Sequence, residues 1–172
     1  GTPGANGWYV GDVSLNWSIN DPETPLSGIV GCEPVALTAD STGIGAYCEA
    51  RSWAGKQTAQ QVLRRDATPP TITAAPVGAP NAAGWYRTNV AVADACNDAT
   101  SGVVGCPAND VVSQEGRNVS SSARTISDTA GNTATSNVVT INLDKTPPAT
   151  SVTATTQPNA AGWYRNDIVV NF

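Results

Sequence analysis

The sequence predicts an all-β protein built from one module repeated in tandem. The first observation is a Gly-Trp-Tyr tripeptide that begins at Gly7, at Gly84 and at Gly162, with almost equal spacing along the chain. A near-constant period of this kind indicates one structural unit written repeatedly. The second observation is alternation, because every second residue from Val13 to Ile19 is apolar. This is the period of a strand with one buried face.

The repeat divides the chain into two complete modules and the start of a third. We name these predicted segments repeat 1 (residues 1–70), repeat 2 (residues 71–148) and repeat 3 (residues 149–172, first strands only). Repeats 1 and 2 close with Asp66-Ala67-Thr68-Pro69-Pro70 and Asp144-Lys145-Thr146-Pro147-Pro148. Consecutive prolines cannot donate to a sheet and hold their neighbours extended, so we expect stiff junctions between the modules.

Each Gly-Trp-Tyr tripeptide leads into the same core strand. Its residues are, in chain order, residues 13–19, then Val90 and Val92, then Ile168, Val170 and Phe172. A large ring beside a core strand usually buries most of its area. We therefore expect Trp8, Trp85 and Trp163 to cap the hydrophobic cores.

One position of the core strand breaks the alternation. Counted from the Gly-Trp-Tyr tripeptides, Asp94 takes the place in repeat 2 that Trp17 has in repeat 1, where alternation points the side chain inward. A buried carboxylate is costly unless it is hydrogen-bonded. We expect Asp94 either to accept backbone N–H bonds or to be turned outward by a β-bulge.

Turns and later strands follow in the same order in both complete modules. Turn-forming sequences rich in Asp, Asn, Ser, Pro and Gly occupy residues 21–28 and 97–102. The predicted strands that follow are residues 29–32, 44–53 and 57–65 in repeat 1, and residues 103–106, 119–127 and 137–143 in repeat 2. A further turn, Asp128-Thr129-Ala130-Gly131-Asn132, separates the last two strands of repeat 2 and is matched less well by residues 52–56.

Four cysteines allow three pairings, and the repeat selects one of them. Two cysteines fall in each complete module, so we expect the disulfides Cys32–Cys48 and Cys96–Cys106. A zinc site or a redox pair is disfavoured, because the chain has no histidine and no Cys-x-x-Cys motif. Small modules with cysteine pairs are typical of secreted proteins, so we expect an extracellular location at a cell surface.

Composition argues against several classes of function. Charged residues make up 13% of the chain and the net charge is −5, so we expect neither a nucleic-acid partner nor insertion into a membrane. The absence of histidine removes the usual general base. A glycosidase needs two converging carboxylates, and here the acidic residues lie mainly in turns and junctions. We therefore expect no enzyme activity.

Calcium is the one ion that the loop residues suggest. Asp98, Asp128, Asn132 and Asp144 are oxygen ligands in loops, and an ion at a junction between modules would stiffen the array. The alternative is that these side chains bond only to backbone N–H groups, as Asx residues in turns usually do. We expect no other cofactor.

The motifs together resemble a known family. The series runs from Gly-Trp-Tyr through Ser-Gly-Val and Cys to Asp-Thr-Ala-Gly-Asn and Asp-Lys-Thr-Pro-Pro. It resembles the bacterial immunoglobulin-like repeats found in tandem on large secreted and surface proteins. The likeness is fullest over residues 84–148, looser over residues 7–70, and extends over residues 162–172. It implies two-sheet immunoglobulin-like β-sandwiches in an elongated array, serving as stalks, spacers or adhesive units.

Two hypotheses of function follow from the resemblance. The first is a structural extracellular segment that acts as a stalk, spacer or fibre building block. Its partners would be further repeats of the chain or neighbouring subunits in a fibre. The second is an adhesive or carbohydrate-binding accessory module of a secreted hydrolase, for which Trp53 is the candidate exposed ring. Repeat 3 ends after one core strand, so we expect either more chain beyond Phe172 or completion by another subunit.

Overall fold

The computed structural model describes residues 1–23 and 25–171, and the all-β prediction is confirmed over them. None of these residues lies in a helix, and no helix that could span a membrane is found among them. Thr24, in the first predicted turn, and Phe172, in the third predicted core strand, lie outside the described residues.

Repeat 1 contains two small antiparallel sheets. Its strands are β1 (Val13–Leu15), β2 (Gly28–Val30), β3 (Val35–Leu37), β4 (Ser41–Ser52) and β5 (Gly55–Arg65). One sheet pairs β1 with β3, and the other has the order β2-β4-β5. The β4–β5 hairpin is the longest feature of this repeat, and its two strands pair from Ser41↔Arg65 to Ser52↔Gly55.

Repeat 2 contains two three-stranded sheets and a hairpin. Its strands are β6 (Thr71–Pro76), β7 (Trp85–Tyr86), β8 (Val90–Asn97), β9 (Asp110–Val112), β10 (Gly116–Ser120), β11 (Thr125–Ser127), β12 (Thr133–Thr135) and β13 (Thr140–Leu143). The sheets have the orders β6-β8-β9 and β10-β13-β7, and β11 pairs with β12. In repeat 3, β14 (Thr153–Ala154) pairs with β15 (Val170–Asn171).

Each complete repeat encloses its own hydrophobic cluster. The cluster of repeat 2 draws residues from both three-stranded sheets, a packing consistent with a β-sandwich: Ala74, Val90, Val92, Val112, Val139, Ile141 and Leu143. The cluster of repeat 1 is smaller and consists of Val13, Leu37 and Leu63. The boundaries at residues 70 and 148 stay predictions.

Both predicted disulfides are confirmed. Cys32 pairs with Cys48 and Cys96 pairs with Cys106, and each bridge lies within one repeat. Disulfides persist in oxidising compartments, so the pairs indicate a non-reducing environment for this chain.

Several predicted strands are shorter than expected or absent. Residues 103–106 form only an isolated bridge from Val103 to Asp128, and the strands over residues 29–32 and 137–143 are found in part, as β2 and β13. The strand predicted over residues 13–19 ends at Leu15, and the one over residues 119–127 is split between β10 and β11. The ladder becomes irregular at Ser121, whose N–H donates to the Val139 carbonyl at 2.9 Å while its buried side chain accepts the N–H of Val139 at 3.0 Å. Side-chain bonds of this kind compete with strand pairing.

Candidate functional site

The most highly organised polar site lies where repeat 1 meets repeat 2. A loop of repeat 1 contacts the Asp128–Asn132 turn of repeat 2. The N–H of Ala5 donates to the carbonyl of Ala130 at 2.7 Å, and the side-chain amide of Asn6 donates to the carbonyl of Thr129 at 2.9 Å. We call this contact, together with the Asp66 segment described next, the junction.

Asp66 is the central residue of the junction. It is the first residue of the motif that closes repeat 1, and it is completely buried. One carboxylate oxygen accepts the N–H of Thr68 at 3.1 Å, and the other accepts the N–H of Ser101, in repeat 2, at 3.0 Å. Hydrogen bonds from N–H groups to a carboxylate are stronger than neutral ones, so this side chain ties the two repeats together.

The Asp128–Asn132 turn supplies the opposite side of the junction. Asp128 is 1% exposed, and its Oδ1 accepts the N–H groups of Gly131 and Asn132 at 2.7 and 2.9 Å. The amide of Asn132 donates to Asp128 Oδ2 at 2.8 Å and to the carbonyl of Asp66 at 2.9 Å. The turn is therefore shaped by its own carboxylate, and its amide reaches across to repeat 1.

Asp98 holds the third loop of the junction. Its Oδ1 accepts the N–H groups of Thr100, Ser101 and Gly102 at 3.2, 2.9 and 2.7 Å. The same loop then bonds the neighbouring turn, because the hydroxyl of Ser101 accepts the N–H of Ala130 at 3.2 Å. Asp98 thereby presents the Ser101 N–H to Asp66.

These loops bring three carboxylates together. Asp66, Asp98 and Asp128 each place one oxygen within 4.8 Å of the others, and no other such group of three acidic residues occurs in the part of the chain that the structure describes. We call them the junction carboxylates. Like charges at this separation repel, and the N–H donors named above offset the repulsion. Oxygen ligands of this kind also suit calcium, so they are the residues that would hold it.

Of the four residues that the sequence offered as calcium ligands, three lie together at the junction and one does not. Asp98, Asp128 and Asn132 do lie together, but Asp144 is exposed and accepts the N–H of the nearby Thr146 at 3.1 Å. Asp66 takes its place, and the sequence did not single it out. The available signal was the repeat itself, since Asp66 and Asp144 open the same Asp-x-Thr-Pro-Pro motif in successive repeats.

The three repeated tryptophans differ in burial. Trp8 is 9% exposed, and Trp85 is half-buried, with the guanidinium of Arg117 5.4 Å from its ring centroid. The prediction that Trp163 caps a core was wrong, because its side chain is 74% exposed. The only strands in the described part of repeat 3 are the two-residue strands β14 and β15, which are too short to form a core around the Trp163 ring. Trp53, at the tip of the β4–β5 hairpin, is 86% exposed.

Asp94 is buried beside a cation, an arrangement that neither sequence option foresaw. Its side chain is 2% exposed and lies 3.9 Å from the Arg124 guanidinium, which also lies 3.5 Å from Asp110. In the alignment of the two repeats, the places of Asp94 and Arg124 are taken by Trp17 and Cys48. Two uncharged residues in one repeat are thus replaced by oppositely charged residues in the other.

Three further carboxylates, Asp40, Glu49 and Asp110, are held in their charged form. The N–H groups of Ser122 and Val111, with Arg124 nearby, lower the pKa of Asp110. The Thr68 hydroxyl, the Ala67 N–H and Arg65 lower the pKa of Asp40. The Tyr47 hydroxyl and Arg51 lower the pKa of Glu49. A general acid needs the opposite shift, so these groups serve as structural anchors.

Comparison with protein-family models, curated proteins and solved structures found no match to this chain. The fold and the junction define the class on their own. It is a disulfide-bonded all-β protein in which two repeats meet through a buried polar joint.

Proposed function

We propose that this chain is a structural, extracellular segment of tandem immunoglobulin-like β-sandwiches that acts as a stalk, spacer or fibre building block. One observation carries the proposal, namely the direct hydrogen bonds that join repeat 1 to repeat 2. Linkers that leave modules free to move do not place a buried carboxylate between them. A spacer holds distance only if its joints resist bending, and this joint has the contacts to do so.

Three kinds of contact support a stiff joint. Backbone groups bond directly from Ala5 to Ala130, the buried Asp66 carboxylate binds the Ser101 N–H, and the Asn132 amide binds the Asp66 carbonyl. Buried polar groups are costly to leave unpaired. Bending the joint would break several of these bonds at once, and the free-energy cost opposes the motion.

The disulfides suit the same role. Each bridge lies inside one repeat, so neither limits the joint, while both shorten the length of chain that a pulling force can release. Resistance to extension is useful in an extracellular stalk. Secretion and a cell-surface location are part of this proposal.

Single-molecule force spectroscopy on the whole chain, stretched from its ends, tests the proposal. We expect separate unfolding events for repeats 1 and 2. Reductant should increase the length of chain released in one event by about 6 nm and in the other by about 4 nm. An extended residue spans about 3.6 Å, and the bridges span 16 and 10 residues. A single event that releases both repeats together would contradict the proposal of separate modules.

A second function is favoured by one exposed ring. Trp53 is 86% exposed at the tip of the β4–β5 hairpin, and an exposed tryptophan is a suitable platform for a sugar ring. The alternative is thus an adhesive or carbohydrate-binding accessory module. Glycan-array binding by the chain, lost in Trp53→Ala and kept in the similarly exposed Trp163→Ala control, would support it. Absence of binding by the folded chain would leave the spacer proposal ahead.

A further inference from the structure

A groove runs along one side of repeat 1. It is about 410 Å³ in volume and lies between the segment after β1 and the distal half of the β4–β5 hairpin. Its apolar lining includes Trp17, Ile19, Leu26, Ala50 and Ala59, and polar side chains stand between them. We call it the repeat 1 groove. A concave site with this mixed lining suits an extended strand, which brings both apolar side chains and a polar main chain.

Repeat 2 shows what occupies the equivalent place there. Strand β6 lies along β8 in antiparallel register, with Ile72 opposite Cys96 and Ala74 opposite Asp94. On its other side the Asn137 amide donates to the Ala74 carbonyl at 2.9 Å and accepts the Ala74 N–H at 2.8 Å. Strand β6 is therefore held between β8 and the segment that follows β12.

Alignment of the two repeats places the repeat 1 groove at the position of β6 in repeat 2. Trp17 and Ile19 take the positions in repeat 1 that Asp94 and Cys96 have in repeat 2, and these last two lie opposite residues of β6 in the sheet. The hairpin side of the groove corresponds in the same way to the β11–β12 region and the residues after it. The repeat 1 groove thus lies at the position that β6 fills in repeat 2, where Ile72 and Ala74 are buried.

Strand pairing in repeat 1 agrees with this alignment. In the described chain β1 pairs only with β3 and stops at Leu15, whereas β8 has a strand on each side and runs to Asn97. Strands gain their hydrogen bonds from neighbours, so a strand with one partner ends early. The alternation of apolar residues continues through Trp17 and Ile19 into the groove, although these two residues are not in a strand.

We propose that the repeat 1 groove is an acceptor site for an extended strand of the β6 type, added by strand pairing to the outer edge of β1. The strand would carry apolar side chains at alternate positions. A small one, as at Ala74, would lie opposite Trp17, and a branched one, as at Ile72, would lie opposite Ile19. Main-chain bonds then give affinity and the alternate side chains give selectivity. The inference rests on the repeat equivalence and not on the spacer role.

The position of Gly1 indicates how such a strand can be joined to the chain for a test. Gly1 aligns with Gly78 of repeat 2, which follows closely on the end of β6, and it lies against Val13 and Asp12 at the start of β1. Joining a copy of the segment Thr71–Val77 to Gly1 would therefore start an antiparallel neighbour beside β1 in the register that β6 has with β8.

Hydrogen exchange on the extended chain tests the proposal. We expect the amides of residues 16–20 to exchange at least about tenfold more slowly than in the chain without the extension, because they enter a strand ladder. The amides of repeat 2 serve as the internal control for folding. An extension with Asp at the position of Ile72 should give no protection, and one with Val there should restore it.

Two results would overturn the proposal. The first is unchanged exchange of residues 16–20 in an extended chain whose repeat 2 amides stay protected. The second is equal protection by the Asp-containing extension, which would mean that any extra residues suffice. Protection of these amides by an oligosaccharide, with none from the extension, would assign the groove to sugar recognition and would also overturn it. None of these results bears on the junction, so the spacer proposal is tested separately.

Discussion

The carboxylate of Asp66, in the closing motif of repeat 1, accepts the backbone N–H of Ser101 in repeat 2 at 3.0 Å. The acceptor is completely buried, and the donor is presented by Asp98, whose own carboxylate binds the same N–H at 2.9 Å. The two repeats thus share one hydrogen-bond network. The network gives the joint a defined geometry, while both disulfides lie within a single repeat.

Replacing Asn132 tests the amide that crosses the junction. Asn132→Ala removes the donors to Asp128 and to the carbonyl of Asp66. Leaving buried acceptors unsatisfied costs about 1–3 kcal/mol, so we expect a loss of that size in the free energy of unfolding, measured by urea denaturation. The control is Asn109→Ala, at an exposed loop position of the same repeat. Equal, small effects for both variants would mean that the junction amide contributes nothing.

Calcium is tested by a variant that separates charge from hydrogen bonding. Asp98→Asn keeps a side-chain oxygen for the loop N–H groups and removes one of the three junction charges. If calcium binds, the melting temperature of the unaltered chain rises on adding calcium and falls back with chelator, and the variant loses this response. In chelator alone we expect the variant to be no less stable, because one like charge is gone. If calcium leaves the melting temperature of the unaltered chain unchanged, the junction carboxylates do not bind calcium.

Removing the two disulfides should affect the two repeats unequally. Chain entropy predicts about 3 kcal/mol for each, since they span 16 and 10 residues. Repeat 1 has the smaller hydrophobic cluster, so Cys32→Ala with Cys48→Ala should unfold repeat 1 first, while Cys96→Ala with Cys106→Ala leaves both repeats folded at room temperature. Hydrogen exchange of the amides, compared between repeat 1 and repeat 2, measures the difference. Earlier unfolding of repeat 2 in the second variant would contradict the expectation.

Acid should weaken the chain through carboxylates that the fold holds ionised. The pKa of Asp40 lies below its ordinary value of 3.8, first because the Thr68 hydroxyl donates to it. A lowered pKa adds stability that is complete above the unfolded-state value and is lost as the pH falls through the folded-state value. We therefore expect the free energy of unfolding to drop below about pH 4.

Thr68→Val isolates the contribution of Asp40 to this pH dependence. It removes the first of the groups that lower the pKa of Asp40, so the acid-induced loss of stability should be smaller than in the unaltered chain. The control, Thr125→Val, removes a hydroxyl that bonds Thr135 and no carboxylate. Acid titrations that coincide for Thr68→Val and the unaltered chain would contradict the role given to this hydroxyl.

The features that could be predicted from the sequence are those determined by residues within a single repeat. The disulfide pairing follows because each module holds two cysteines, and the positions of β4 and β5 follow from long β-forming segments. Asp66 was missed because nothing local distinguishes it from any Asp before Pro-Pro. Its role arises only when Asp98 and Asp128, from two separate loops of repeat 2, fold against it.

Other differences have tertiary causes as well. Periodicity points Asp94 inward correctly, but only the fold shows that Arg124 reaches it. Likewise the alternation of residues 13–19 predicts a strand, while its length depends on a neighbour that the pattern cannot describe. Trp163 repeats the motif of Trp8 and yet stays exposed, because a ring is buried only where a core exists to receive it.

The most direct test of a stiff junction is the rotational diffusion of repeats 1 and 2 in the whole chain, measured by ¹⁵N relaxation of their amides. We expect one shared correlation time for both repeats. We also expect it to separate into two shorter times in Gly4→Ala, where a Cβ would collide with the carbonyl of Ala130, and to persist in Gly105→Ala, where a Cβ meets nothing. Two short, independent correlation times in the unaltered chain would contradict the account.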